Sequence, residues 1–226
     1  MNLVLSMATL TVIALGNSAV VQMLPLAEWR GISAREEIRP QFQRQPPDRL
    51  IILADDREGL DGHWAGTFTV KGGQFYQFRA FRQVRNVALP RRSTLVRIVW
   101  RDAGGESVRR DAPGAYSFAP GKPPMAEPEY PNDGPTDAAG WTEVSGVYRA
   151  PSTACRAIVE LHLRWATGGA VTWKDVSLAE TTPPAPRKVR LATVHYVPHD
   201  GKSAMDNCRQ FAPLLAQAAG QKADLV

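Results

Sequence analysis

The sequence has little of what defines several specialised classes of protein. Only two of its 226 residues are cysteines, which excludes a small secreted scaffold held together by disulfides. Charged residues make up 22% and hydrophobic residues 44%. Those are the proportions of an ordinary globular protein, so a wholly disordered chain is also excluded. The length suits one domain of about 150 residues with a sizeable core, and not two complete mid-sized domains.

Lysine is scarce, since 21 of the 27 basic residues are arginine. The arginines are spread from Arg30 to Arg209, and the densest groups are doublets such as Arg91 and Arg92. Proteins that bind nucleic acid concentrate their basic side chains in one patch or run. We therefore expect no nucleic acid among the partners, despite the net charge of +5. We also expect no cofactor, and the sequence leaves open whether the protein forms an oligomer.

The N-terminal segment carries no charge from Asn2 to Ala27. An apolar stretch, residues 3–15, is followed by the small residues 16–19, as in a signal peptide before its cleavage site. We expect residues 1–22 to be the signal peptide of an exported protein, periplasmic or extracellular, although no basic residue precedes Arg30. One alternative is a retained anchor that would bring the protein to a membrane, because 26 uncharged residues can cross a bilayer. The other is a start codon assigned upstream of a chain that is not exported.

Residues 28–180 are predicted to form a mainly β domain, an antiparallel β-sandwich. Short segments that alternate apolar and polar residues follow one another without a convincing helix between them. The glycine-bearing turn Lys71–Gly73 predicts a hairpin, and the excursion between residues 102 and 140 predicts a long loop. The seven predicted strands are residues 49–54, 63–70, 74–84, 94–100, 141–148, 157–165 and 170–178.

The pattern changes after the proline-rich linker, residues 181–186. A strand is predicted at 189–197, and Ser203 with Asp206 three residues later predicts the start of a helix. A second strand opens at residue 223. Because these elements have no sheet to join, we infer that residues 187–226 begin a truncated α/β domain of a longer parent chain. The apolar face of the helix is predicted to comprise Ala204, Cys208, Phe211, Leu215 and Ala218.

Four features occur in order in residues 187–226: a strand flanked by basic residues, the Pro198 loop, Asn207 within the helix, and Ala-Asp-Leu-Val at 223–226. As a set they resemble the N-terminus of the carbon–nitrogen hydrolase (nitrilase) family. The resemblance implies an αββα fold, an amide or nitrile substrate, and a mechanism that uses glutamate, lysine and cysteine. None of those catalytic positions lies within residues 1–226, so we expect no catalytic residue in this chain.

The region upstream resembles galactose-binding-like, jelly-roll sandwiches, in residues 140–151 and 171–178. Two functional hypotheses follow from the resemblances. In the first, the chain is the N-terminal part of an exported carbon–nitrogen hydrolase, and the sandwich is an accessory domain that positions it. In the second, the sandwich is a stand-alone module that binds carbohydrate or a cell-surface partner, without catalysis.

Aromatic residues are the candidates for glycan binding, because their rings stack on sugar rings. Those in irregular segments or near strand ends are the candidate ligand-binding residues, with core packing as the alternative. Trp64, Trp100 and Trp165 have inward strand positions and are assigned to the core. The candidates are Trp29, Tyr130, Trp141 and Trp173.

An acidic turn is the candidate metal site. Asp55, Asp56 and Asp61, together with Asp175, offer the hard oxygen ligands that Ca²⁺ prefers. The alternative is a solvated turn with no metal. The two cysteines, Cys155 and Cys208, fall in different modules, so we expect them to be packed and not joined by a disulfide.

Overall fold

The computed structural model describes residues 21–111, 121, 123–186 and 188–226. The chain divides into two compact units, residues 1–183 and 184–226, and each is taken by itself below. Residues 1–20 of the predicted signal peptide lie outside the described ranges, whereas Val21–Met23 form a strand of the first unit. Within the described ranges, no helix is long and apolar enough to cross a membrane.

The first unit is built almost entirely of β-strands. Two 3₁₀ turns, Leu26–Glu28 and Glu36–Ile38, and one short helix, α1 (Pro90–Ser93), interrupt them. In chain order the strands are β1 Val21–Met23, β2 Arg30–Ile32, β3 Gln41–Gln45, β4 Arg49–Leu53, β5 Asp61–Thr69, β6 Phe75–Arg85, β7 Val96–Arg101, β8 Asn132–Thr136, β9 Thr142–Arg149, β10 Arg156–Arg164 and β11 Ala170–Thr181.

The strands form two sheets. The larger has the order β3-β4-β11-β6-β9-β8, with β1 also paired to β11, and the smaller has the order β2-β5-β10-β7. Every pairing between named strands is antiparallel. The prediction of an antiparallel β-sandwich is therefore confirmed.

The core lies between the inner faces of the two sheets. Successive side chains of a strand point to opposite faces, so one residue in two is buried. In β6, Tyr76, Phe78 and Ala80 are buried, while Gln77 and Arg79 between them are exposed. The same alternation buries Trp64 and Phe68 in β5. Burial of these large apolar side chains is the main favourable contribution to folding.

The predicted hairpin at Lys71–Gly73 is wrong. Strand β5, before the turn, belongs to the smaller sheet, and β6, after it, belongs to the larger sheet. The turn thus carries the chain from one layer of the sandwich to the other. Gly72 packs closely there, since a Cβ at this position would lie 2.0 Å from the backbone oxygen of Ser152. Gly73 has a φ of +81°, which glycine adopts without strain.

The second unit departs from the prediction in both of its elements. In place of a strand at 189–197 it has a single parallel bridge between Leu191 and Leu225, because one partner residue cannot support a sheet. The predicted helix is divided into α2 (Ala204–Arg209) and α3 (Ala212–Gly220). Pro213 explains the break, since proline lacks the N–H that a continuous helix needs and its ring clashes with the preceding turn.

The start of α2 is as predicted, whereas the predicted apolar face is buried only at Ala218 and in part at Phe211. The Ser203 hydroxyl oxygen accepts a hydrogen bond from the Asp206 backbone N–H at 3.1 Å, which caps the helix. Cys208, expected in a core, is exposed, and both cysteines are free thiols. In the described part of this unit, the αββα layer predicted from the sequence is not formed.

Candidate functional site

The outer face of the larger sheet carries a cluster of aromatic and charged side chains. In β6, Phe81 points outward because Ala80 and Arg82 on either side of it are buried. Phe81 pairs with Lys174 of β11 on one side and with Glu143 of β9 on the other. Their side chains therefore stand next to one another across three strands.

Cation–π contacts and one ion pair connect this cluster. The Lys174 ammonium lies 4.6 Å from the ring centroid of Trp141 and 5.7 Å from that of Phe81. The Arg79 guanidinium lies 4.8 Å from the Phe81 centroid, and its Nη2 is 3.1 Å from a carboxylate oxygen of Glu143. We call Arg79, Phe81, Trp141, Glu143 and Lys174 the aromatic patch. All five side chains keep part of their surface open to solvent.

A turn before β9 holds Trp141 in position. The Asp137 carboxylate accepts hydrogen bonds from the backbone N–H groups of Ala139 and Trp141, both at 2.9 Å. Gly140 completes the turn with a φ of +81°. The Gln83 side chain then donates a hydrogen bond to the Ala139 carbonyl at 2.8 Å, which ties the turn to β6.

A partly buried ion pair lies beneath the patch. The Arg82 side chain is only 3% exposed, and its two terminal nitrogens bind the two oxygens of Asp133 in β8 at 3.1 and 2.7 Å. Arg82 also donates a hydrogen bond to the Thr94 carbonyl at 3.1 Å. The pair joins β6 to β8, on either side of β9, which carries Glu143 and follows Trp141.

Three polar side chains and one isoleucine extend the patch across the sheet. Gln83 pairs with Thr172, Thr172 with Ile51, and Ile51 with Gln43. These four residues form a row over β6, β11, β4 and β3 on the outer face. Amide and hydroxyl groups both donate and accept hydrogen bonds, so the face offers aromatic rings beside groups that can bind sugar hydroxyls.

The structure does not bring the four aromatic candidates from the sequence together. Trp29 is 2% exposed and packs edge-to-face against Phe68, with the ring centroids 6.2 Å apart. Trp173 is completely buried, so neither ring is open to a ligand. Tyr130 is 49% exposed but follows the residue that bridges to β7 of the smaller sheet. Of the four, only Trp141 belongs to the aromatic patch.

Two of the four acidic candidates, Asp55 and Asp175, interact with other side chains of the protein. The hydrogen bond from Arg57, at 2.9 Å to Asp55, lowers the pKa of that carboxyl. Burial, followed by the neighbouring carboxyl of Asp48, raises the pKa of Asp175. The carboxyl group of Asp48 is therefore a neighbour of Asp175. Asp56 and Asp61 are the other two candidates. Neither forms a hydrogen bond or an ion pair with Asp175 among the described residues. The calcium site stays a prediction.

A different group in the described part of the chain has metal-ligand geometry. Potential ligand atoms of His63, Glu160 and His162, on β5 and β10, lie within 4.8 Å of one another. Burial alone would raise the pKa of Glu160, but hydrogen bonds from His162 and Arg97 hold it at about 2. Arg97 Nε is 2.5 Å from the carboxylate. Arg97 thus already supplies, next to the Glu160 carboxylate, the positive charge that a bound cation would supply.

Trp165, like Phe81 and Lys174, is a functional candidate that the sequence does not predict. Alternation along β10 predicts a core position for Trp165, and that prediction is wrong, since Trp165 is 53% exposed. The strand ends at Arg164, and Trp165 has a φ of +54°, so its backbone leaves the β conformation and the alternation stops. It lines a cavity of about 410 Å³ together with Leu89 and Arg92.

Comparisons with known proteins identify no family for the chain. No family model and no curated protein matches it. Similar solved structures include the enzymatically active domain of bacteriophage CBA120 tailspike protein 4, with 14% identity, a TM-score of 0.46, and coverage of 69% of this chain and 20% of the tailspike. A structure titled "CBM4 structure and function" has 14% identity and a TM-score of 0.43, covering 68% and 86% of the two chains.

A third similar structure is the N-terminal cellulose-binding domain of Cellulomonas fimi β-1,4-glucanase C, with 12% identity and a TM-score of 0.38. The match covers 72% of this chain and 100% of that domain. These TM-scores are below 0.5, so they assign neither a family nor a ligand.

The comparisons correct the family expectation. No family model matches the chain, none of the similar structures named above is a carbon–nitrogen hydrolase, and the resemblance to that family is wrong. The amide or nitrile substrate and the amidase chemistry that the resemblance implied are therefore not supported either. The described residues 188–226 agree, because they form a single bridge and two short helices in place of the start of an αββα layer.

Proposed function

We propose that the β-sandwich is a carbohydrate-binding module of the jelly-roll type, and that it binds a glycan on the aromatic patch. The observation that carries the proposal is the pair of partly exposed rings, Phe81 and Trp141, held beside polar and charged groups on one sheet face. Aromatic faces pack against the C–H faces of a sugar ring, and a few polar groups set its orientation.

The arrangement suits an extended chain of sugars. The cross-strand row from Gln83 to Gln43 continues from the patch over four strands. Neighbouring strands are about 4.8 Å apart, so the row spans roughly 14 Å, a length that more than one sugar unit would occupy.

We also propose that the protein is exported, because a polysaccharide ligand lies outside the cell. Fractionation of cells that express the full chain tests export, and retention of the protein in the cytoplasm would contradict it.

Calorimetric titration with soluble neutral oligosaccharides, including xylohexaose and cellohexaose, tests the ligand class. Replacing Trp141 or Phe81 by alanine should raise Kd about tenfold, since one stacked ring contributes on the order of 1.4 kcal/mol. Tyr130→Ala is the matched control, because it removes an exposed ring outside the patch. Wild-type protein that binds none of the panel, or a Tyr130→Ala loss equal to the Trp141→Ala loss, would overturn the proposal.

A further inference from the structure

A second surface, at the end of β10, has a ligand-binding character of its own. The cavity of about 410 Å³ beside Trp165 is lined by Leu89, Arg92 and the uncharged polar side chains of Asn86, Ser93 and Thr167, with alanines at 88 and 166. We call these residues the Trp165 pocket. None of them belongs to the aromatic patch.

The apolar part of the pocket is open to solvent. Trp165 is 53% exposed and Leu89 is 59% exposed. Large apolar side chains with so much free surface are expected at binding sites when they lie together in a concave region. Exposed aromatic rings of this kind accept the C–H face of a sugar or another flat apolar surface.

The backbone presents the ring outward at a conformational cost. Trp165 has a φ of +54°, a value that bulky residues seldom adopt. Its backbone N–H donates a hydrogen bond to the Leu60 carbonyl at 2.8 Å, which fixes the residue at the end of the strand. Asn86, which also lines the pocket, has the same φ of +54°. Unusual backbone conformations persist where the surroundings hold them, and they concentrate at functional sites.

Arg92 is the charged residue of the pocket lining, and Arg164 lies beside Trp165 outside that lining. The guanidinium carbons of Arg164 and Arg92 lie 4.5 and 5.6 Å from the Trp165 ring centroid. Neither arginine forms an ion pair with any residue in the described ranges, unlike Arg79, Arg82 and Arg97 elsewhere in the sandwich. No aspartate or glutamate lines the cavity. Arginine is suited to a carboxylate, which it can bind through two parallel hydrogen bonds.

We infer that the Trp165 pocket binds an acidic sugar, a uronate whose ring packs on Trp165 and whose carboxylate pairs with Arg92. The inference rests on the proposed function in treating the sandwich as a glycan-binding module, and it adds a second site with a different ligand class. The exposed polar side chains of Asn86 and Thr167 are then available to the sugar hydroxyls.

A matched pair of ligands separates charge from shape. The probes are a galacturonic acid oligosaccharide and its methyl ester, which has the same ring and linkage without the negative charge. Calorimetry at 50 mM NaCl should show the acid binding at least tenfold more tightly than the ester. The difference should shrink at 500 mM NaCl, because salt screens an exposed charge pair.

Two variants locate the site, and two more act as controls. Arg92→Gln and Trp165→Ala should each weaken binding of the acid about tenfold or more, and Arg92→Gln should also abolish the preference over the ester. Arg30→Gln, which removes an exposed charge elsewhere, and Trp141→Ala, in the aromatic patch, should leave binding of the acid unchanged. Arg92 is exposed, so its variant keeps the fold even if Trp165→Ala does not.

The outcomes distinguish this inference from the proposed function. Wild-type protein that binds neither probe, or binds both equally, overturns the inference whatever happens with neutral oligosaccharides. Loss of the acid by Trp141→Ala and not by Arg92→Gln would place the anionic ligand on the aromatic patch and also overturn it. Neutral oligosaccharide binding that responds to Trp141→Ala alone would leave the proposed function intact.

Discussion

Removal of the Asp133 carboxylate tests whether the ion pair beneath the aromatic patch holds β8 and β6 together. In the wild type, both terminal nitrogens of Arg82 bind Asp133, at 2.7 and 3.1 Å. Asp133→Ala would leave the Arg82 guanidinium, which is 3% exposed, with the Thr94 carbonyl as its remaining described acceptor. Arg82 Nε already has no hydrogen-bond partner among the described residues.

The expected cost follows from the burial of the pair. Removing one partner of a buried pair typically costs 3–5 kcal/mol because it leaves an uncompensated charge. The Asp133 side chain is 24% exposed, so water can reach part of the site, and we expect about 3 kcal/mol. The double variant Arg82→Met/Asp133→Ala removes the stranded charge and should recover most of that loss, since an apolar side chain of similar length replaces the arginine.

Urea unfolding of the wild type, both single variants and the double variant closes a thermodynamic cycle. Glu143→Ala is the control, because it breaks the solvent-exposed pair with Arg79 and should cost no more than about 1 kcal/mol. A cost for Asp133→Ala as small as that of the control would refute the reasoning. So would a double variant whose cost equals the sum of the two single costs.

Two further predictions concern acid stability and close packing. The ionised form of Glu160, whose pKa of about 2 lies below its ordinary value of 4.5, contributes roughly 3 kcal/mol at neutral pH, and this is lost as the pH falls from about 4.5 towards 2. The difference in unfolding free energy between wild type and Glu160→Gln should therefore shrink by about 2 kcal/mol from pH 7 to pH 3, and a difference independent of pH would contradict the assignment. Gly72→Ala should cost about 2 kcal/mol, because its Cβ would lie 2.0 Å from a backbone oxygen. Gly104→Ala, whose nearest contact would be at 3.4 Å, should cost little, and equal costs for the two glycine variants would show that the backbone there adjusts freely.

Sequence reasoning succeeded where the relevant signal was local. The alternation of β6 correctly placed Tyr76 and Phe78 in the core and Arg79 on the outside. The same rule fails at Trp165. The positive φ of Trp165 ends the alternation, and the neighbouring residues give no signal of that change. Trp29 was expected at the surface because its segment is irregular, yet it is buried against Phe68. Irregular backbone does not imply exposure.

The candidate sites were harder to predict than the strands. Trp141 was identified, but Phe81 and Lys174 were not, because their proximity depends on the register of β6, β9 and β11. The family resemblance of residues 187–226 failed for a related reason. A short segment forms a strand only when it can pair with neighbouring strands in a sheet. In the described residues, Leu191 has a single bridge, to Leu225.

The sequence by itself determined that the chain forms short strands with one apolar face each, because side-chain direction along a strand depends only on a residue's own neighbours. Tertiary structure decided which sheet each strand joins, as the Lys71–Gly73 turn shows by passing between layers. It also decided which aromatic rings meet charged groups at the surface, in the patch around Trp141 and the pocket at Trp165. Those choices depend on how the whole chain buries its apolar surface, and no local segment of sequence contains that information.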